Sequence, residues 1–330
     1  MTFTTTFGAA RVDQVTELER WAFPPAELFP AIGDGLAQSA RAELGDGYVD
    51  PDTGDLLLAI HTYVIRLGAT VIVVDTGNGN GKERPVLAAH HMFDTDYLDR
   101  LARTGIGPDD VDLVISTHLH PDHCGWNTRL VDGQWRPTFP RAVHLFAESD
   151  LDALRSLAAG EDLTGVVADL ARTYRDSVGP VLRDGHWRAV ADGEVIAAGD
   201  GVEVVVRAAP GHTDGHLAVE IRTSAGGALI AGDAIHHPIQ LLHPELVQGG
   251  DAEPATARRT RDALLRRCAT EGLLLLPAHF TEHAPFRVAI DADGRPRISA
   301  AGVRPSARPA GEDAVHDSGG GTHDGFDGEP

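Results

Sequence analysis

The sequence predicts a layered α/β domain, and three observations carry that reading. Short apolar stretches of strand length alternate with amphipathic stretches of helical period along most of the chain. About 42% of the 330 residues are hydrophobic, enough for a sizeable core. No apolar run approaches the ~20 residues of a membrane-spanning helix, so these stretches belong inside a folded domain.

The elements follow in order. Residues 56–67 and 70–75 read as two strands joined by the tight Leu67-Gly68-Ala69 turn. Residues 94–105 read as a helix with an aspartate cap, Leu98, Leu101 and Ala102 on one face, and a terminal glycine. Residues 111–116 and 142–146 are apolar strands, and 148–159 is a helix. Further strands are expected at 202–207, 217–221 and 228–231. Residues 254–271 form a helix with Pro254 in its first turn and Gly272 just past its end, followed by a buried strand at 273–276. Nothing resembling a linker divides residues 1–304, so one domain is expected, with the first ~50 residues an extension packed on it. Residues 305–330 are rich in Gly, Asp and Glu and read as a disordered acidic tail.

Composition narrows the function classes. The formal net charge is −21, and Lys82 is the sole lysine. Such a chain repels polyanions, which argues against nucleic acid as a partner. The first residues, MTFTTTFGAARVDQ, lack a basic flank and an apolar stretch, so no secretory signal is expected and no membrane partner. Two cysteines, Cys124 and Cys268, make no disulfide framework and read as reduced thiols of a cytoplasmic protein. Whether the chain forms a homodimer is left open.

The chemistry lies where strands end. One strand runs into His118-Leu-His120-Pro-Asp122-His123, another into Gly211-His212, a third into Asp233 and a fourth into His279. Strands of one sheet tend to deliver their ends to one edge, where loops build sites. Imidazoles and carboxylates are the usual ligands of zinc and other first-row metals. His118 and His120, two apart in an extended segment, point the same way, and Pro121 turns Asp122 and His123 toward a second position. With 17 histidines in the chain, a chance His-x-His-x-Asp-His is expected in fewer than roughly one chain in a hundred.

These motifs resemble those of the metallo-β-lactamase superfamily. Thr117-His118-Leu119-His120-Pro121-Asp122-His123, Pro210-Gly211-His212-Thr213, Gly232-Asp233 and Ala278-His279 occur in the family's order, and Val-Val-Asp75-Thr-Gly77 matches its early aspartate motif. The resemblance spans about residues 56–286 and implies a four-layer αββα sandwich with the site at one edge of two sheets. It further implies one metal on His118, His120 and His212 and a second on Asp122, His123 and His279. Asp233 would bridge the two, and Asp75 would orient a loop or ligand from behind. Gly125-Trp126-Asn127 and the 233–240 segment look most like the branch of quorum-quenching lactonases and methyl-parathion-hydrolase-like esterases. True β-lactamases lack an aspartate at the position of Asp233, which argues against an antibiotic as substrate.

The resemblance therefore implies a hydrolase with two divalent ions, zinc first, with iron, manganese or cobalt as alternatives. Two ions bring +4 and Asp122 and Asp233 return −2. A hydroxide held between the ions would attack a small uncharged ester or lactone such as an acyl-homoserine lactone. Asp122 would carry the proton to the leaving alkoxide, so Asp122 and Asp233 are the expected catalytic carboxylates. Alternatives are an organophosphate or aryl esterase, a glyoxalase-type thioesterase or iron-dependent persulfide oxidation, and a non-catalytic metal-binding sensor.

The remaining histidines and aromatics carry weaker expectations. His216 is read as a supporting partner of the ligands. Trp126, Met92, Phe93, His236 and His237 are candidates for the substrate pocket. His61 and His144 are expected to be hydrogen-bonded sheet residues, and Cys124 a packing residue. His90, His91, His186, His243 and His283 are assigned to surface or loops. The Gly77–Gly81 stretch lacks the spacing of a phosphate loop and is expected to be a flexible rim.

Overall fold

The computed structural model describes residues 3–283 and 285–301. The expected tail, with His316 and His323, lies outside the described residues. Strands β1 (Phe3–Phe7), β2 (Ala10–Phe23), β3 (Leu56–Leu67), β4 (Thr70–Val74) and β5 (Leu113–Ile115) begin the first sheet. A small hairpin, β6 (Thr128–Val131) and β7 (Gln134–Pro137), precedes β8 (Val143–Phe146) and β9 (Trp187–Ala189). The second sheet holds β10 (Val195–Gly199), β11 (Val202–Ala208), β12 (Leu217–Thr223), β13 (Gly226–Ile230), β14 (Leu273–Leu276), β15 (Phe286–Ile290) and β16 (Pro296–Ala300). The helices are α1 (Pro25–Leu28), α2 (Asp34–Leu44), α3 (Tyr97–Ala102), α4 (Pro121–Cys124), α5 (Glu148–Ala158), α6 (Gly165–Thr173), α7 (Gly179–Asp184), α8 (Ile239–Leu242) and α9 (Pro254–Glu271). A single π-helical turn, Tyr174–Val178, joins α6 to α7.

The sheets have the orders β1-β2-β3-β4-β5-β8-β9 and β10-β11-β12-β13-β14-β15-β16. Period-two alternation explains how they pack. Tyr63, Ile65 and Leu67 of β3 meet Val204 of β11 and Val219 and Ile221 of β12 in the central core. Val64, the residue between, faces outward to Tyr97 and Leu101 of α3. On the opposite face, Leu265 and Cys268 of α9 cover Leu229 and Leu275. The layers are therefore helix, sheet, sheet, helix, the expected αββα sandwich. Among the described residues no helix is long and apolar enough to cross a membrane.

The N-terminal segment differs from the expectation of an extension laid on the domain, because β1 and β2 are strands of the first sheet itself. Strand β2 escapes the alternation rule because its register against β3 shifts twice, between Thr16 and Leu18 and between Leu18 and Trp21. It also buries Asp13, Gln14, Thr16 and Glu17. Asp13 is paired with Arg11 and Arg66, and burial, which opposes ionisation, is outweighed by these partners, so its carboxyl lies below the usual range.

Parallel pairing sets up the site. Strands β4 and β5 run parallel with Val74 opposite Ile115, so Asp75 and the 116–123 segment leave at one edge. Strands β13 and β14 run parallel with Ile230 opposite Leu276, which brings out Asp233 and His279 side by side. The β11–β12 pair closes at Ala208 and Leu217, and its connection carries His212. Two backbone bonds clamp the sheets together at this edge, Leu217 N–H to Thr117 O (2.7 Å) and Ala59 N–H to His279 O (2.8 Å).

Candidate metal centre

The seven expected ligands form two adjacent groups, His118/His120/His212/Asp233 and Asp122/His123/His279. Within each group the potential ligand atoms lie within 4.8 Å of one another. Asp233 faces both. Its Oδ2 is 3.3 Å from His212 Nε2 and 3.7 Å from His118 Nε2. Its Oδ1 is 2.9 Å from His279 Nε2 and 3.0 Å from His123 Nε2. Asp122 Oδ2 stands 3.5 Å from His123 Nε2 and 3.7 Å from His279 Nε2.

Four of the five imidazoles are oriented by a bond on the far side of the ring, whereas His120 Nδ1 meets His212 Nε2 (2.9 Å) within the site. His123 Nδ1–H donates to Asp75 Oδ2 (2.9 Å). His279 Nδ1–H donates to Ala59 O (2.8 Å) and His212 Nδ1–H to Asp251 Oδ1 (2.9 Å). Thr117 Oγ1 donates to Asp75 Oδ2 and so accepts from His118 Nδ1–H (3.2 Å). The four Nε2 atoms therefore turn lone pairs inward. Those of His118 and His123 are buried and without a hydrogen-bond partner.

Asp75 takes a left-handed backbone (φ 57°) directly after β4. Besides His123 and the Thr117 hydroxyl it accepts the Thr117 N–H at 2.7 Å. In His216, Nδ1–H donates to Ala209 O (3.0 Å) and Nε2 accepts the Asp233 N–H (2.9 Å). Both its nitrogens are used, so it has none left for an ion.

The electrostatics ask for a cation. Burial opposes ionisation of Asp122 and Asp233, yet His123 and the neighbouring imidazoles outweigh it and hold both carboxyls well below their usual range. Burial alone would lower His123 and His279, but the surrounding carboxylates, Asp233 first, raise both. Protons on these rings take the place a metal charge would fill. His118, His120 and His216 are instead kept neutral, first by burial and then by neighbouring imidazoles. Imidazole nitrogens converging on shared carboxylates, those of His118 and His123 without a hydrogen-bond partner, fit two divalent cations.

Five of the seven, His120, Asp122, His212, Asp233 and His279, line a cleft of about 340 Å³. Its apolar wall comes from Trp21, Phe23, Leu58, Leu87, Val166 and Leu170, and no arginine or lysine is among its lining residues. His236 lines it, as expected, with Nε2 3.1 Å from Asp233 Oδ2. Four other pocket candidates do not. Trp126 is buried, donates Nε1–H to Glu17 Oε1 (2.7 Å) and stacks on Tyr97, so it is core. His237 faces away and bonds Tyr48 O (3.0 Å). Met92 is 51% exposed on a loop, and Phe93 is outside the lining.

Other expectations fail for identifiable reasons. The Gly77–Gly81 stretch is no loose rim: Asn78 N–H is bound by Glu17 Oε2 (2.6 Å), and Gly125 packs so tightly that a Cβ there would meet the Asn78 carbonyl at 1.9 Å. His61 is satisfied by Thr16 and Phe280 O, but His144 is buried with both ring nitrogens unpartnered. Cys124 is packing, its thiol pushed up to about 12 by burial. Two site residues were invisible to pattern reading. His90 lies in a 3₁₀ turn lining the cleft, and Asp251 lies in a glycine-rich turn before α9; nothing local marks either.

Known proteins can now be set beside this geometry. The family model described as metallo-beta-lactamase superfamily matches residues 56–285. No curated protein matches the chain. Among solved structures, the hydrolase AbOPH, of the beta lactamase superfamily, is 20% identical with a TM-score of 0.73, covering 92% of this chain and 98% of its own. AidC, a dizinc quorum-quenching lactonase solved with the product N-hexanoyl-L-homoserine, is 17% identical with a TM-score of 0.72, covering 92% and 98%. A probable metal-dependent hydrolase from Staphylococcus aureus is 16% identical with a TM-score of 0.71, covering 91% and 100%. At these identities the likeness carries the fold. It also reaches beyond the family model to take in most of the N-terminal segment.

Proposed function

The chain belongs to the metallo-beta-lactamase superfamily, and from that membership we propose that it is a dinuclear metal-dependent hydrolase of small uncharged esters or lactones. His118, His120 and His212 would hold one divalent cation, zinc first among candidates, and Asp122, His123 and His279 the other, with Asp233 shared. Bound there, such a pair supplies a water activated near neutral pH and a Lewis acid for a carbonyl oxygen. The single observation carrying the reading is the split of Asp233, one oxygen facing each group of imidazoles.

The chain's own residues do the rest. The apolar wall takes an acyl or aryl group and excludes water from the reacting end of the cleft. Asp122, which lines the same cleft as Asp233, would take a proton from the attacking water and return it to the leaving alkoxide. The backbone from which the Asp233 carboxylate projects is fixed by the Asp233 N–H to His216 Nε2 bond. The absence of arginine and lysine from the lining favours uncharged substrates over glutathione thioesters, which carry carboxylates needing cationic anchors.

The test is turnover by zinc-loaded protein of an N-acyl homoserine lactone, an aryl ester and a phosphotriester, with metal content measured alongside. Hydrolysis that a chelator stops, and that Asp233→Ala abolishes while lowering bound metal, is the expected result. Iron with oxygen consumption would redirect the reading to redox chemistry. Two bound ions with no turnover of any of the three would make the chain a sensor.

A further inference from the structure

His90 lines the cleft, and neither the metal groups nor the core explains its placement. It belongs to a 3₁₀ turn, Ala88–His90, on the loop between β4 and α3. That loop is pinned to α6, because the buried carboxylate of Asp169 accepts the N–H groups of Val86 (2.8 Å) and Leu87 (2.7 Å). The ring itself is held on two sides. Its Nδ1 bonds Asn78 Oδ1 (2.8 Å), and Asn78 is in turn fixed through its N–H to the buried Glu17. Trp21 packs edge-on against the ring, with centroids 4.8 Å apart.

An amide oxygen only accepts, so Nδ1 carries the proton and Nε2 carries a lone pair. Nε2 has no hydrogen-bond partner among the described residues, and the ring lines the same cleft as Asp122, Asp233 and His279. An oriented acceptor beside the candidate centre has nothing among the described residues to accept from.

We propose that His90 Nε2 is a specificity-determining acceptor that receives an N–H from the substrate, so that the preferred substrate carries an amide N–H near its scissile carbonyl. This rests on the hydrolase reading above and narrows it. An N-acyl amino-lactone has such a donor, whereas a simple aryl ester or a phosphotriester has none. The donated bond forms in the ground state and in the transition state alike, so it acts through KM more than kcat.

The experiment uses the full zinc-loaded chain and two substrates, N-hexanoyl homoserine lactone and its N-methyl analogue, which keeps ring, chain and carbonyl but lacks the donor. One neutral hydrogen bond corresponds to about a tenfold preference in kcat/KM. His90→Phe, which keeps the edge contact with Trp21, should lose about tenfold on the N–H substrate, mainly in KM, and change little on the N-methyl analogue, with metal content unchanged. His90→Gln, whose side-chain oxygen can accept, should recover part of the loss. Equal effects of His90→Phe on both substrates, or none on either, would overturn the assignment while leaving the hydrolase reading intact. If the metal-loaded wild type opens neither lactone but hydrolyses an aryl ester or a phosphotriester, this inference falls and the hydrolase reading stands; turnover of none of these substrates overturns both.

Discussion

Asp75→Asn isolates how the chain orients one half of its centre. The carboxylate accepts three protons: Thr117 N–H on Oδ1 (2.7 Å), and Thr117 Oγ1–H and His123 Nδ1–H on Oδ2 (both 2.9 Å). An asparagine has one oxygen for these two positions. With its oxygen toward His123, its NH₂ faces the buried Thr117 N–H, a donor against a donor that costs about 1–3 kcal/mol. With its NH₂ toward His123, the imidazole must move its proton to Nε2, where Asp233 Oδ1 accepts it at 3.0 Å. The second arrangement is the better one without metal, and it blocks the nitrogen needed for the Asp122/His123/His279 group. The metal-free variant should therefore fold with a loss of no more than about 1–3 kcal/mol. Its affinity for the second ion should fall 10–100-fold, about 1.4–2.7 kcal/mol, the usual scale for such supporting partners. Chelator competition on protein loaded with two equivalents of zinc measures this, and urea unfolding of the stripped protein measures the fold. Wild-type affinity for both ions in Asp75→Asn would refute the reasoning.

Four further substitutions test other parts of the account. His144→Leu removes two buried, unpartnered nitrogens and should stabilise the protein by about 1–3 kcal/mol at pH 7, read by urea midpoint. Burial, with His186 nearby, lowers the His144 pKa to about 3 from the usual 6.5, so the unfolded chain binds a proton that the folded chain refuses. Stability is lost as pH falls through that window, and the variant's advantage should grow by about 1.4 kcal/mol per pH unit below pH 6; a flat difference would count against it. Asp176→Asn removes the bidentate partner of the fully buried Arg84 (2.7 and 2.8 Å), with Lys82 Nζ 3.5 Å away, and should cost about 3–5 kcal/mol. Lys82→Met leaves that pair intact and should cost far less, since burial already lowers the lysine to about 8. Gly125→Ala would place a Cβ 1.9 Å from the Asn78 carbonyl, and the required backbone shift should cost about 3 kcal/mol by overpacking, again read by urea midpoint.

The central layers were legible because their strands are apolar throughout or alternate cleanly. Strand β3 and helix α9 match their expected bounds, and the strand-end histidines and aspartates meet as their spacing implied. The first sheet's strand β2, between β1 and β3, was not legible. Two bulges and buried Asp13 and Glu17 erase its alternation, and its polar groups are satisfied only by partners distant in sequence, such as Arg66 and Trp126. The pocket failed for a related reason. A residue such as Trp126 lies beside the metal motif along the chain yet points into the core, whereas Trp21 and His90 reach the cleft from segments with no motif of their own. Strand ends announce ligands, but cleft walls are assembled by tertiary packing.

Diffraction from crystals grown with zinc, recorded on both sides of its absorption edge, tests the paired-cation claim most directly. Two anomalous peaks are predicted, one among His118, His120 and His212 and one among Asp122, His123 and His279, with an oxygen of Asp233 on each. Empty difference density there, or one peak with Asp233 turned away, would contradict it.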